Sequence, residues 1–176
     1  MTDDFVSAHK AKHLLSHVLV VAAVRRWPGV ALGESGETAT GFYADFGLVR
    51  VPAADELSAM TDDMARVLRD FRIFRDVKLT PTDAMRAFHG QPWKLKQVAA
   101  IAELEARIGC YELDGVIDIC ECAIKEAREL RALHPEKFLL TEAHPVAWSD
   151  RGSLHQYVRI SGELFPAPSP CECCSP

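Results

Sequence analysis

The hydrophobic positions of this chain divide it into short pieces of two periods. Val18 to Val24 is an unbroken apolar run. With the residues before it, the run predicts a first helix from Asp3–Asp4 to about Arg26, closed by Trp27-Pro28-Gly29. Apolar on nearly every side, that helix belongs at the centre of a core. From Val30 to Phe46, short apolar stretches broken by glycines predict a hairpin with its turn at Glu34 to Thr38, and Gly47 to Val51 continues as a short strand. Leu57, Met60, Met64, Val67, Leu68 and Phe71 recur at helical spacing behind a start at Pro52 to Glu56. Arg72 to Leu79 reads as a strand. Thr80-Pro81-Thr82-Asp83 signals a short helix through Phe88, and a turn follows at His89 to Pro92. A helix over Leu95 to Ile108, a strand pair over Tyr111 to Cys122 around Asp114-Gly115, helical composition over Ala123 to Leu133, and strands over Phe138 to Trp148 and His155 to Phe165 complete the order. Helices mixed with antiparallel hairpins predict an α+β fold, an antiparallel sheet packed around the N-terminal helix. The proline-rich tail from Pro166 to Pro176 is expected to be disordered.

Composition narrows this little. The chain has 176 residues, 48% of them hydrophobic and 26% charged, with a formal charge of −5. Twenty basic against 25 acidic side chains argue against a strongly basic nucleic-acid binder, and no DNA partner is expected. Arg66, Arg69, Arg72, Arg75 and Lys78 recur every third residue. The interleaved Asp62, Asp63, Asp70 and Asp76 make them a solvated mixed-charge face. The Val18–Val24 run is too short for a bilayer, so no membrane partner is expected. Met1-Thr2-Asp3-Asp4 lacks the positive charge of a signal peptide. The expected location is cytoplasmic, where thiols stay reduced.

Candidate chemistry begins on the first helix. His9, His13 and His17 stand four residues apart, and each such step rotates a side chain by only about 40°. His13 and His17 therefore share a face one turn apart and can converge on one metal ion or substrate. His9 drifts to the edge of that face. The same spacing also suits a pair that only packs. Cys171, Cys173 and Cys174 either capture a soft metal or form an unremarkable exposed tail. His89, His134, His144 and His155 read as surface or structural residues.

The order of motifs carries a resemblance. His13-Leu14-Leu15-Ser16-His17, Gly41-Phe42-Tyr43-x-Asp45, Asp83-Ala84-x-x-x-Phe88, Trp93-Lys94, Val116-Ile117-Asp118-Ile119-Cys120 and the closing Ala147-Trp148 and His155 to Gly162 together resemble the editing domain of bacterial threonyl-tRNA synthetases. This is the second additional domain, shared with alanyl-tRNA synthetases and their free-standing relatives. The resemblance spans about residues 5–165 and implies an editing-type domain over 1–165, the tail 166–176 lying beyond it. It further implies a cleft that hydrolyses the ester of a wrong amino acid, serine for the threonyl enzymes, on tRNA. By this resemblance the pocket holds His13, His17, Lys94, Asp118 and Cys120. Tyr43 and Asp45 are candidates for its wall, unless that strand merely packs Phe42 into the core.

Where the family pattern has a final histidine, this chain has Ile124. Either Cys122 or His134 replaces it, or the centre keeps three protein ligands and a water. For the implied reaction, His13, His17 and Cys120 suit zinc or another divalent transition metal. In the metal-free form of the reaction a histidine serves as general base and Lys94 steadies the oxyanion. The expected function is a free-standing hydrolase of mischarged tRNA, seryl-tRNA for threonine, partnered by tRNA or an aminoacyl-tRNA synthetase. Two alternatives stay open: a metalloenzyme acting on a small amino-acid-like ligand, and a non-catalytic metal- or partner-binding module.

Overall fold

The computed structural model describes residues 8–120, 127–133, 137–150 and 153–165. The expected helix start at Asp3–Asp4, Cys122, Ile124, His134 and the cysteine tail all lie outside the described residues. The expected α+β architecture is present, with the helix that carries His13 and His17 at its centre. Helix α1 runs over Ala8–Arg26, and Leu14, Leu15, Val18, Leu19, Val21, Ala22 and Ala23 are all at most 1% exposed. No apolar stripe is needed on a helix with partners on every side. It ends as expected: Pro28 offers no amide, and Gly29 at φ +82° turns the chain so that Val30 donates to the Trp27 carbonyl at 3.0 Å.

Strands β1 (Ala31–Glu37) and β2 (Gly41–Gly47) form the hairpin, but the turn lies at 38–40 rather than at Glu34 to Thr38. A register irregularity between Leu32 and Ser35 lets β1 continue past Gly33 and Glu34. Thr38 then closes the turn: its amide donates to Gly41 and its Oγ1 accepts from Gly41. The expected strand at Gly47 to Val51 does not form. Gly47 already pairs with Ala31, the first residue of β1, so the next residues have no strand to join. Helix α2 (Ala54–Asp70) buries Leu57, Met60, Met64, Val67 and Leu68 against α1 and the later strands, as its spacing predicts.

Strand β3 (Phe74–Leu79) starts two residues later than expected, because the amides of Arg72 and Ile73 bond Asp114 instead of a strand. Helix α3 (Pro81–Ala87) has the expected cap, Thr80 Oγ1 accepting from the Asp83 amide at 3.1 Å. Helix α4 covers Pro92–Ala102, earlier than the expected Leu95 to Ile108. Pro92 suits its first turn, and Ile108 belongs to β4 (Ile108–Leu113). Then come β5 (Val116–Ile119), α5 (Ala127–Arg131), and the long hairpin β6 (Phe138–Asp150) and β7 (Ser153–Leu164).

Instead of one sheet there are two, both antiparallel: β1-β2-β7-β6 and β3-β4-β5. The second has core against both faces, while its edge strand β3 leaves Arg75, Asp76 and Lys78 exposed. Tyr111, Leu113 and Val116 join the core around α1, while Ile108, Cys110, Ile117 and Ile119 join a smaller cluster with Ala84, Phe88 and Val98 under α3 and α4. This alternation turns Tyr111, Asp118 and Cys120 toward α1. Among the described residues no helix is long and apolar enough to cross a membrane.

Candidate metal centre and buried ion pair

His13 and His17 project from one face of α1 with ring centroids 4.5 Å apart, edge to face. Cys120, the residue after β5, keeps ladder pairing through its amide to Gly109 at 3.0 Å. That pairing brings its Sγ to 3.3 Å from His13 Nε2. One donor atom from each of His13, His17 and Cys120 lies within 4.8 Å of the others. Three residues expected together are together. His17 is 2% exposed and stacks on Tyr111 at 3.9 Å, whereas His13 remains 20% exposed at its side chain and opens the centre to solvent.

The donor set suits a borderline-soft cation. Zinc bound at about 2.0–2.3 Å in a tetrahedron separates its ligand atoms by roughly 3.3–3.6 Å. The sulfur–nitrogen pair, at 3.3 Å, comes within a few tenths of an ångström of its share of that range. The three residues are close enough to hold a metal ion.

Lys94 and Asp118 form a second unit. Lys94 lies on the buried stripe of α4 with Val98, four residues on, and Asp118 stands opposite Tyr111 in the β4–β5 register. Lys94 Nζ donates to Asp118 Oδ1 at 2.7 Å, the side chains being 2% and 0% exposed. The same oxygen accepts from the Ile119 amide at 2.8 Å, while Oδ2 has no hydrogen-bond partner among the described residues. Lys96, two residues on, takes another place, its Nζ 5.0 Å from the centre of the Trp148 ring. Tyr111 joins the two units, stacked on His17 and paired across the sheet with Asp118.

Tyr43 and Asp45 are not brought to this centre. Phe42, Ala44 and Phe46 take the inward positions of β2, so alternation sends Tyr43 and Asp45 to the opposite face. There Asp45 accepts two bonds from Arg159, at 2.7 and 2.9 Å, and the guanidinium lies 3.9 Å over the Tyr43 ring. Burial and the nearby Glu34 carboxylate raise the Tyr43 phenol above its ordinary pKa, against the opposing pull of Arg159. Trp93, Trp148 and Tyr157 complete an open hollow on that face.

Several participants carry no sequence signal. Glu37, expected in a turn, is the last residue of β1. Its carboxylate lies 2.7 Å from His9 Nδ1 and 3.9 Å from His13 Nδ1. Gln91 docks α4 on β1, accepting from the Leu32 amide at 2.7 Å and donating to the Val30 carbonyl at 3.2 Å. Strand alternation alone could have found Tyr111, through its register with Asp118. Of the remaining histidines, His89 and His144 are exposed.

No protein-family model matches the chain. Curated proteins do. The threonine–tRNA ligase of Clostridium perfringens is 25% identical over 162 residues, covering 92% of this chain and 24% of that protein. The threonine–tRNA ligase of Clostridium botulinum is 26% identical over 155 residues, covering 88% and 23%. That of Treponema pallidum is 23% identical over 171 residues, covering 88% and 28%. The chain thus spans about a quarter of the length of the curated relatives it matches. Over about nine-tenths of its own length, it is related to part of the threonine–tRNA ligases.

Proposed function

We propose that this chain is an editing-type hydrolase that removes a mismatched amino acid, serine, from tRNA for threonine, acting in trans in the cytoplasm. The observation that carries the reading is the meeting of the α1 histidines with the Cys120 sulfur, linked through Tyr111 to the buried Lys94–Asp118 pair. Ester hydrolysis needs an activated water, charge stabilisation at the carbonyl oxygen and a shielded site. His13, His17 and Cys120 would hold zinc, which when bound would supply a water acidic enough to ionise near neutral pH. Lys94 has three N–H donors, and Asp118 engages one. The remaining donors serve the oxyanion, and Asp118 fixes where the ammonium stands. With no metal bound, His13, the more open of the pair, would instead take the proton from the attacking water. Tyr43 and Asp45, on the far face, hold Arg159 rather than the amino acid.

With a formal charge of −5, the protein meets tRNA through local patches or through a synthetase that presents it. The test is deacylation of seryl- and threonyl-tRNA for threonine by the full chain, beside His13→Ala, Cys120→Ser and Lys94→Met. Seryl-tRNA is expected to be cleaved in preference, and each substitution is expected to lower the rate about 10²–10³-fold. Cys120→Ser should also abolish the sulfur-to-metal charge-transfer band of the cobalt-loaded protein. Bound metal with no cleavage of either tRNA overturns the deacylase and favours a metal-binding module.

A further inference from the structure

The start of α1 is clasped to the tip of the β1–β2 hairpin. Lys12 Nζ donates to the Thr38 and Ala39 carbonyls, both at 2.9 Å. Beside it, Glu37 stands opposite Phe42 in the strand register. Phe42 points into the core, so the Glu37 side chain faces α1 too. One carboxylate oxygen lies 2.7 Å from His9 Nδ1, the other 3.9 Å from His13 Nδ1. The second nitrogen of the same His13 ring lies 3.3 Å from Cys120 Sγ. His13 thus has a carboxylate at one nitrogen and a sulfur at the other.

A neutral imidazole carries a single proton, and its position decides which nitrogen offers a lone pair. A carboxylate beside Nδ1 favours the proton there and leaves Nε2 as the acceptor. At 3.9 Å the contact is electrostatic rather than a formed hydrogen bond. A small ring rotation would shorten it, or a water would bridge it. His9 is 73% exposed, so its pairing with Glu37 contributes little stability by itself. What it does is hold the carboxylate, 23% exposed, in one orientation toward the next turn of the helix.

We propose that Glu37 is a positioning residue, which keeps the His13 proton on Nδ1 so that the Nε2 lone pair faces Cys120 and any divalent transition metal bound between them. The proposal rests on His13, His17 and Cys120 being a functional centre, and needs no particular substrate. It is tested on the full chain, wild type beside Glu37→Ala and Glu37→Gln. The first measurement is the ¹⁵N shifts of the His13 side chain in metal-free protein at alkaline pH, assigned by loss in His13→Ala. In the wild type Nδ1 is expected protonated and Nε2 pyridine-like. Glu37→Ala should move population to the Nε2–H tautomer, and Glu37→Gln, which keeps an acceptor oxygen, should recover part of the wild-type pattern. The second measurement is zinc and cobalt affinity, expected to fall about 10–100-fold in Glu37→Ala. A wild-type His13 with its proton on Nε2 overturns the proposal, even if Glu37→Ala fails to fold. So does a folded Glu37→Ala protein with unchanged tautomer and affinity. Wild-type protein with the expected tautomer and tight metal binding, yet no deacylation, overturns the deacylase and leaves Glu37 in its role.

Discussion

At the scale of single residues, the sharpest conflict is between stability and function at Lys94 and Asp118. A lysine and an aspartate lose nearly all their water here, and one carboxylate oxygen has no partner among the described residues. Such a pair is poor for stability compared with well-packed apolar groups, yet breaking it strands a buried charge. Lys94→Met is therefore expected to cost about 3–5 kcal/mol, as is Asp118→Leu. The double variant should lose clearly less than the sum, and the proposed deacylation should fall about 10²–10³-fold in all three. Urea melts of the four proteins check this; strictly additive losses would mean the charges do not hold each other. The lysine was legible only by resemblance. Its helical position, with Val98 one turn on, is that of a core residue, and nothing in local spacing says that an aspartate 24 positions later in the numbering lies within 2.7 Å.

At the scale of elements, α2 shows how a local signal and its structural use diverge. Ala53 at the N-cap has no side-chain acceptor, so only half of a capping box forms: Glu56 accepts from the Ala53 amide at 2.9 Å. Arg50 adds two bonds to that carboxylate, at 2.6 and 2.8 Å. These contacts, Arg50 first, lower the Glu56 pKa to about 2. A folded-state pKa below the unfolded one, about 4.3, means stabilisation present above the unfolded value and lost as pH falls through about 2. Wild type should thus exceed Glu56→Gln in stability at neutral pH, the gap narrowing steadily between about pH 4.3 and 2. Thermal melts across that range decide it; a gap independent of pH assigns the effect to packing. The pair is exposed, so added salt should also shrink the gap. Helical spacing placed α2 itself well. The Gln91 side chain, which replaces a strand partner for Val30 and Leu32, left no trace in the pattern.

At the scale of the whole molecule, what matters is how the second sheet sits against α1. Asp114, in the tight turn between β4 and β5 at φ +49°, joins three elements. Its Oδ1 accepts from the amides of Arg72 and Ile73 at 2.9 and 3.0 Å, and its Oδ2 from Arg25, near the end of α1, at 2.9 Å. Burial raises the Asp114 pKa, but the Ile73 and Arg72 amides and the Arg25 guanidinium outweigh it, so the net direction is down. Its contribution is accordingly kept at neutral pH and fades on acidification. Asp114→Ala should cost about 1–3 kcal/mol through the orphaned amides and the strained backbone. It should also weaken cobalt binding, although it touches none of His13, His17 and Cys120. Asp114→Asn, which tolerates this backbone conformation and keeps an acceptor, should fall between. Lost stability with unchanged cobalt affinity would show that core packing alone sets the sheet on the helix.

The amino-acid sequence by itself determined whatever depends on neighbours along the chain. It set a central helix from an unbroken apolar run, two histidines one turn apart, a threonine cap before Pro81, and alternation through the later strands. Covalent geometry sets these spacings, so they can be read without coordinates. Tertiary structure decided who meets whom. The irregularity in β1 moved Glu37 from a turn to a face on α1, alternation in β2 sent Tyr43 and Asp45 away from the histidines, and the packing of two separate sheets brought Cys120 to His13 across 107 positions. Register and sheet placement come from the summed burial of the whole core, which no short stretch of sequence contains.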